Sequence, residues 1–145
     1  MKIYKKPLSP SSCDSFEREI VIQTLLDHPN CLKLYGISYT QDKRPVLVTE
    51  LAGISLQQYI LKDHTPYITS LDLFINRLSL WEKRTLILEI AEGLMYIHSR
   101  GFVHKDIKLE NILIKDGHPL IADFGLADDS QGYKVTSGTP ALYCY

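Results

Sequence analysis

The first third of the chain changes from a helical to an extended pattern of apolar residues. After a Pro/Ser-rich stretch at 7–12, which predicts a loop, apolar side chains recur at helical spacing over residues 16–26, and Asp14 with Glu17 three residues later fits a capping box. Apolar and β-branched residues then cluster at 32–37 and 46–49, with a polar stretch between them. This part of the sequence predicts one helix, capped by Asp14, followed by two strands.

The second half carries the strongest helix signal of the chain. Ser79 and Glu82 form a second capping box, apolar residues of helical period follow it, and Gly101 is placed to end the helix. A short helix is predicted over 55–61. Residues 62–77 have no regular pattern, and we interpret them as an insertion.

Two short apolar stretches near the end flank a turn signal. Residues 112–114 and 120–122 are apolar, and the Asp116-Gly117 pair between them is typical of a β-hairpin turn. Because strand-like segments lie on both sides of the helices, the predicted fold class is α+β.

Composition changes this picture mainly by what it excludes. With 145 residues, 45% of them hydrophobic, and a formal net charge of -1, the chain has the size of one globular domain and no charge excess that would favour nucleic acid or an anionic membrane. The three cysteines lack metal-ligand spacing, and we interpret them as ordinary thiols of a reducing compartment. These features predict a cytoplasmic protein, or a nuclear one, without nucleic-acid or membrane partners.

The predicted hairpin brings two oxygen ligands together. If its strands pair, Asn111 and Asp123 flank the open end and lie side by side. An amide oxygen and a carboxylate at one place suit a hard divalent cation such as Mg²⁺, which takes few protein ligands. Asp106 and Lys108 lie just upstream, in a loop that runs into the same hairpin.

Two segments at this place resemble the eukaryotic protein kinases. The run from His104 to Asn111 resembles the catalytic loop of that family, and Asp123-Phe124-Gly125 resembles its metal-binding tripeptide. Three further segments resemble helix αC with its exit loop, the fifth strand with the hinge, and the end of the activation segment: Glu19 with His28-Pro29-Asn30, residues 46–52, and Gly138-Thr139-Pro140.

The resemblance implies an incomplete two-lobed kinase fold. Residues 1–51 would form a partial N-lobe with the hinge, and residues 52–145 a partial, mainly helical C-lobe that extends through the activation segment. The chain begins near the third-strand lysine, after the glycine-rich loop of the family, and stops before its Ala-Pro-Glu element. We therefore expect a kinase domain that is truncated at both ends.

The resemblance also implies the catalytic and metal-binding residues. Asp106 would accept the proton of the substrate hydroxyl, and Lys108 would contact the γ-phosphate. Asn111 and Asp123 would hold the Mg²⁺ ions that bridge the phosphates of ATP.

Six further residues are implied in ATP binding. Glu19 would pair with Lys2, which resembles the lysine of the third strand. The other four would surround the adenine, through the backbone of Glu50 and Ala52, with Leu113 as the floor and Thr49 as the gatekeeper.

The resemblance favours a serine/threonine kinase. Lys108 together with Gly138-Thr139 is similar to that branch of the family, which implies ATP and Mg²⁺ as cofactors and a protein substrate with a serine or threonine hydroxyl. Two positions depart from the family: Lys105 replaces an arginine, and Gln23 replaces an apolar residue of the internal spine, where a buried amide needs partners. A catalytically inactive, kinase-like binding protein is the alternative.

Overall fold

The computed structural model describes residues 1–4, 10–61 and 78–129. Within them helices and strands are mixed along the chain, which confirms the α+β class. In chain order the elements are β1 (Lys2–Ile3), α1 (Pro10–Leu25), β2 (Leu34–Tyr39), β3 (Pro45–Thr49), α2 (Leu56–Ile60), α3 (Leu80–Ser99), β4 (Phe102–Val103), β5 (Ile112–Lys115), β6 (His118–Ile121) and β7 (Asp128–Asp129), with 3₁₀ helices at Leu109–Asn111 and Phe124–Leu126.

A three-stranded antiparallel sheet is formed by the first strands, in the order β1, β3, β2. The central strand β3 is apolar and β-branched, and its first three residues are buried. The two strands predicted at 32–37 and 46–49 are therefore confirmed. Lys2 of β1 pairs with Leu47 of β3, so the register of this short edge strand fixes the backbone position of the lysine.

Helix α1 packs on the 3₁₀ helix at Phe124–Leu126 and buries Phe16 and Ile22. It begins at Pro10, so the prediction that Asp14 caps its start is wrong. Proline suits the first turn of a helix, because its φ is already helical and an N–H there has no intrahelical partner. The Pro/Ser-rich stretch predicted as a loop is therefore helical from residue 10 onward.

The two other helices begin at capping boxes, of which the second was predicted. Ser55 and Gln58 form a capping box before α2, and Ser79 and Glu82 form the predicted one before α3. Helix α3 ends just before Gly101, whose φ of 83° lies in the left-handed region that glycine favours. None of the helices in the described part of the chain is long and apolar enough to cross a membrane.

Strands β5 and β6 form the predicted hairpin. Lys115 pairs with His118, and the two residues between them, Asp116 and Gly117, both have positive φ, 51° and 87°. A two-residue type I′ turn requires this conformation, and Asp-Gly adopts it readily. The register then sets Ile112 opposite Ile121 at the open end.

The hairpin is hydrogen-bonded to two segments that flank the sheet. The N–H of Leu32 donates to the carbonyl of Ile121 at 2.8 Å, and the N–H of Gly53 donates to the carbonyl of Ile114 at the same distance. One segment follows α1 and the other follows β3. These bonds hold the sheet and α1 over the hairpin. A cavity lies between the sheet, α1 and the hairpin.

Gly53 has no room for a side chain. A Cβ at this position would lie 2.6 Å from the carbonyl oxygen of Ile114, which is backbone and cannot turn away. We expect Gly53→Ala to lower the free energy of unfolding by about 1–3 kcal/mol, the usual cost of overpacking. Urea unfolding measures the loss. Gly36→Ala is the matched control, because the methyl group that it adds would have no atom within 4 Å, and equal losses in both variants would contradict the explanation.

Two cysteines, Cys13 and Cys31, lie in the part of the chain that the structure describes. Cys31 is a free, buried thiol, and burial raises its pKa to about 12, so it behaves as the expected ordinary thiol. Cys13 is disulfide-bonded, and for this residue the expectation is wrong.

Candidate active site

A cavity of about 340 Å³ lies between the sheet, α1 and the open end of the hairpin. Its lining includes every residue that the sequence implied for cofactor or metal binding: Lys2, Glu19, Thr49, Glu50, Ala52, Asn111, Leu113 and Asp123. Residues as far apart in sequence as Lys2 and Asp123 thus meet in one place.

A larger cavity, of about 580 Å³, lies beside Glu50 and is lined mainly by charged side chains. Of the residues that the sequence implied for cofactor or metal binding, only Glu50 lines this larger cavity. We assign the candidate site to the smaller cavity because the predicted metal ligands and the Lys2–Glu19 pair converge there.

Lys2 joins two carboxylates in the cavity. Its Nζ lies 2.8 Å from Oε1 and 3.0 Å from Oε2 of Glu19, and 2.9 Å from Oδ1 of Asp123. Burial disfavours the charge of this lysine, but the two carboxylates outweigh it and raise its pKa. Lys2 is therefore a fixed positive charge at neutral pH.

Glu19 is held by a further donor that the sequence analysis missed. Only 2% of Glu19 is exposed, and the hydroxyl of Tyr4 donates to its Oε2. The missed signal was strand periodicity: Tyr4 lies two residues after Lys2, and residues i and i+2 of an extended chain share a face.

Phe124 and His104 anchor the backbone beneath the cavity. Phe124 is fully buried, and its ring lies edge-on to His104 at 4.9 Å between centroids. Nδ1 of His104 accepts the N–H of Asp106 at 3.3 Å, so Nε2 carries the proton and donates to the carbonyl of Ala122 at 3.0 Å. Burial lowers the pKa of His104, and this neutral histidine ties the loop of Asp106 to the backbone that precedes Asp123.

Asp106 forms a compact cluster with Lys108 and Asn111. Nζ of Lys108 lies 2.6 Å from Oδ2 of Asp106, and Nδ2 of Asn111 donates to the same oxygen at 2.8 Å and to the Asp106 carbonyl at 2.9 Å. The bond from Lys108 is the main reason that the pKa of Asp106 is lowered. Asp106 is therefore a carboxylate at neutral pH.

Asn111 connects this cluster to the cavity. Its amide nitrogen is engaged by Asp106, so its Oδ1 is the atom left to accept a bond or bind a cation, and no described residue donates to it. Asp123, with φ of 64°, presents a carboxylate to the same cavity. One amide oxygen and one carboxylate fit the few hard ligands that Mg²⁺ takes from a protein.

On the side of the cavity where adenine is expected, some backbone groups are already hydrogen-bonded within the protein. The N–H of Glu50 donates to the carbonyl of Lys33 at 2.9 Å, and the hydroxyl of Thr49 donates to the carbonyl of Glu50 at 3.1 Å. Ala52 and Leu113 pack together against a small apolar cluster. Among the backbone donors expected for adenine, the N–H of Glu50 is therefore taken, and that of Ala52 has no bond to any described residue.

The side chain of Glu50 has a structural role that the sequence did not indicate. It accepts the N–H of Lys33 at 2.9 Å and pairs with Nζ of Lys115 at 2.5 Å. Burial opposes its charge, but these donors outweigh that effect and lower its pKa. Glu50 thus ties the end of β3 to the hairpin.

The two residues that depart from the kinase pattern, Gln23 and Lys105, both have polar partners in the structure. Nε2 of the buried Gln23 donates to the carbonyl of Leu32 at 2.7 Å, which satisfies the amide. Lys105 pairs with Asp128 at 2.9 Å, and this bond lowers the pKa of Asp128. The predicted activation-segment residues Gly138-Thr139-Pro140 lie outside the described residues.

Comparison with known proteins identifies the family of this chain. A family model described as the protein kinase domain matches residues 1–143. A probable serine/threonine-protein kinase of Arabidopsis thaliana is 40% identical over 94% of this chain and 23% of its own length. A carbon catabolite-derepressing protein kinase of Candida glabrata is 34% identical over 95% and 21%, and a fibroblast growth factor receptor of Hydra vulgaris is 30% identical over 95% and 18%. The chain spans about a fifth of the length of these relatives.

Proposed function

Because this chain belongs to the protein kinase family, we propose that its cavity binds ATP with Mg²⁺ and that it transfers the γ-phosphoryl group to a serine or threonine hydroxyl of a protein. Residues 1–51 are proposed as part of the N-lobe with the hinge, and residues 52–145 as part of the C-lobe. A cytoplasmic or nuclear location stays a prediction.

One observation carries the proposal. The carboxylate of Asp106 is bonded to the amide of Asn111, and Asn111 lines the same cavity as Asp123, Lys2 and Glu19. A base, two oxygen ligands and a cation are thus adjacent, and phosphoryl transfer needs these groups together.

Asp106 supports the role of base by its position and its charge. In the proposed step the substrate hydroxyl gives its proton to Asp106, its oxygen bonds to the γ-phosphorus, and the bond from that phosphorus to the bridging oxygen breaks to release ADP. Lys108, already bonded to Asp106, would stabilise the negative charge on the transferred group. The low pKa of Asp106 keeps the base ionised before the proton arrives.

Asp123 and Asn111 are proposed as the residues that hold Mg²⁺. A bound Mg²⁺ neutralises charge on the phosphates of ATP and orients them for in-line transfer. Lys2 would add a positive charge on the same side, held in place by Glu19. On the adenine side, the N–H of Ala52, the carbonyl of Glu50 and the apolar surface of Leu113 are proposed to receive the base, next to Thr49.

The substrate class is tested by phosphotransfer from Mg-ATP. We expect the chain to phosphorylate a peptide with one serine or threonine, and to act at least about tenfold less on the same peptide with tyrosine at that position, since Lys108 and the name of the Arabidopsis relative favour the serine/threonine branch. Equal transfer to tyrosine would overturn the specificity. Mg-ATP binding without any transfer would instead support the inactive, kinase-like alternative.

A further inference from the structure

Tyr4 occupies an unusual place for a tyrosine, between a strand and the buried carboxylate of Glu19. Its N–H donates to the carbonyl of Pro45 at 3.0 Å, which extends the β1 ladder by one residue. Its ring meets Phe16 of α1 edge-on, with 5.1 Å between centroids and 84° between planes. These two contacts fix the ring, and the hydroxyl at its end donates to Oε2 of Glu19.

Glu19 needs more than one donor because it is almost completely buried. A buried carboxylate without sufficient hydrogen bonds is costly, and Lys2 is the charged donor in contact with it. Lys2 also contacts Asp123, so it is not committed to Glu19 alone. Tyr4 is the donor that bonds to Glu19 and to no second carboxylate among the described residues.

The surroundings of Tyr4 also disfavour its ionisation. Burial, with the negative charges of Glu19 and Asp123, raises the pKa of its hydroxyl above the usual tyrosine value. The hydroxyl therefore keeps its proton and remains a donor. Nζ of Lys2 lies 5.2 Å from the centre of the Tyr4 ring, so the same side chain also touches the lysine.

We infer that Tyr4 is a positioning residue: its hydroxyl fixes the carboxylate of Glu19 and, through it, the ammonium group of Lys2 that faces the cavity. The consequence for ATP rests on the proposed function, whereas the effect on Lys2 does not. Without the hydroxyl, Glu19 moves among several positions, and Lys2 loses part of its counter-charge.

The first test measures Lys2 directly, without nucleotide. Tyr4→Phe keeps the ring on Phe16 and removes only the hydroxyl. We expect acetylation of Lys2 by an N-hydroxysuccinimide ester, followed by peptide mass spectrometry, to become roughly 3- to 10-fold faster, the range that the net contribution of one typical hydrogen bond corresponds to. Tyr35→Phe is the matched control, since Tyr35 is exposed on β2, and its rate should equal that of the unsubstituted chain.

A double-variant cycle shows whether Tyr4 acts through Glu19. Glu19→Gln should itself accelerate the labelling of Lys2, and adding Tyr4→Phe to it should change the rate no further. An unchanged rate in Tyr4→Phe would overturn the inference. So would a full additional increase in the Glu19→Gln background, because Tyr4 would then act on Lys2 by another route.

The second test connects Tyr4 with ATP. In a chain that transfers phosphate, Tyr4→Phe should raise the KM for ATP by roughly 3- to 10-fold with kcat within about twofold of the original. If Tyr4→Phe accelerates the labelling of Lys2 in a chain that binds no ATP, the result would support the positioning role of Tyr4 and refute the proposed function. Normal transfer with an unchanged KM and unchanged labelling would refute the role of Tyr4 alone.

Discussion

Replacing Asp106 with asparagine is expected to lower kcat for phosphotransfer by about 10²- to 10⁴-fold, the usual contribution of a general base. Asparagine keeps the size of the side chain and an oxygen that can accept from Lys108 and Asn111, but it cannot take a proton. The affinity for Mg-ATP should change little, because the cavity proposed to bind the nucleotide is lined by other residues. Initial rates with labelled ATP, together with nucleotide titration, separate the two quantities.

The matched control for this variant is Asp116→Asn. Asp116 is an exposed aspartate on the hairpin turn, away from the cavity, and asparagine tolerates its positive φ. We expect its rate to stay within about twofold of the original, since surface substitutions of this kind have small effects. Transfer by Asp106→Asn at the rate of this control would contradict the role of base.

The same residue sets the direction of the pH dependence. The pKa of Asp106 is lowered, chiefly by the bond from Lys108, so the ionised base persists from neutral pH down to below the ordinary range of aspartate. The activity should therefore be lost only as the pH falls through this lowered pKa. In Lys108→Met, without the bond, the acid limb should move to higher pH.

Replacing Asp123 with asparagine is expected to abolish the part of ATP affinity that depends on Mg²⁺. Removal of a carboxylate ligand should weaken binding in millimolar Mg²⁺ by at least about tenfold, while binding in EDTA should change little. Asparagine is preferable to alanine here, since Asp123 has a φ of 64° and asparagine accepts this conformation at lower cost. The variant thus removes the charge without straining the backbone.

Titration of a fluorescent ATP analogue with and without Mg²⁺ measures this effect. Asp116→Asn again serves as the control, because it also replaces an aspartate with positive φ. A variant of Asp123 that retains the full difference between Mg²⁺ and EDTA would exclude this residue as a metal ligand. The two variants together separate the chemical step, proposed to depend on Asp106, from metal binding, proposed to depend on Asp123.

Local chemistry explains which parts of the fold were predictable. The Asp-Gly turn, the capping box at Ser79 and the β-branched, apolar run of β3 each depend on residues that are neighbours in sequence, and the structure has all three. The predicted start of α1 was wrong because two signals compete there: the capping pattern at Asp14, and Pro10, which suits the first helical turn. Both signals are local, and only the packing of α1 decides between them.

The contacts of the site that were missed are long-range. The placing of Asn111 and Asp123 in one cavity follows from the hairpin, whose strands are close in sequence. The bond of Lys115 to Glu50 joins residues 65 positions apart, and the bond from Tyr4 to Glu19 depends on how β1 lies over α1. Strand periodicity places Tyr4 on the same face as Lys2, but it carries no information on which residue of another element approaches that face, because this depends on the packing of separate elements.

The double contact of Lys2 gives both carboxylates at the cavity the same positively charged partner. One ammonium group serves two carboxylates, those of Glu19 and Asp123, so no charge in this cluster lacks an opposite partner before a ligand enters. If a metal–phosphate ligand entered as proposed, Asp123 would exchange an ammonium partner for a metal cation, and Lys2 would exchange a carboxylate for a phosphate. Attractive contacts would be replaced one for one. Such a highly charged ligand would therefore leave neither Lys2 nor Asp123 without an opposite charge.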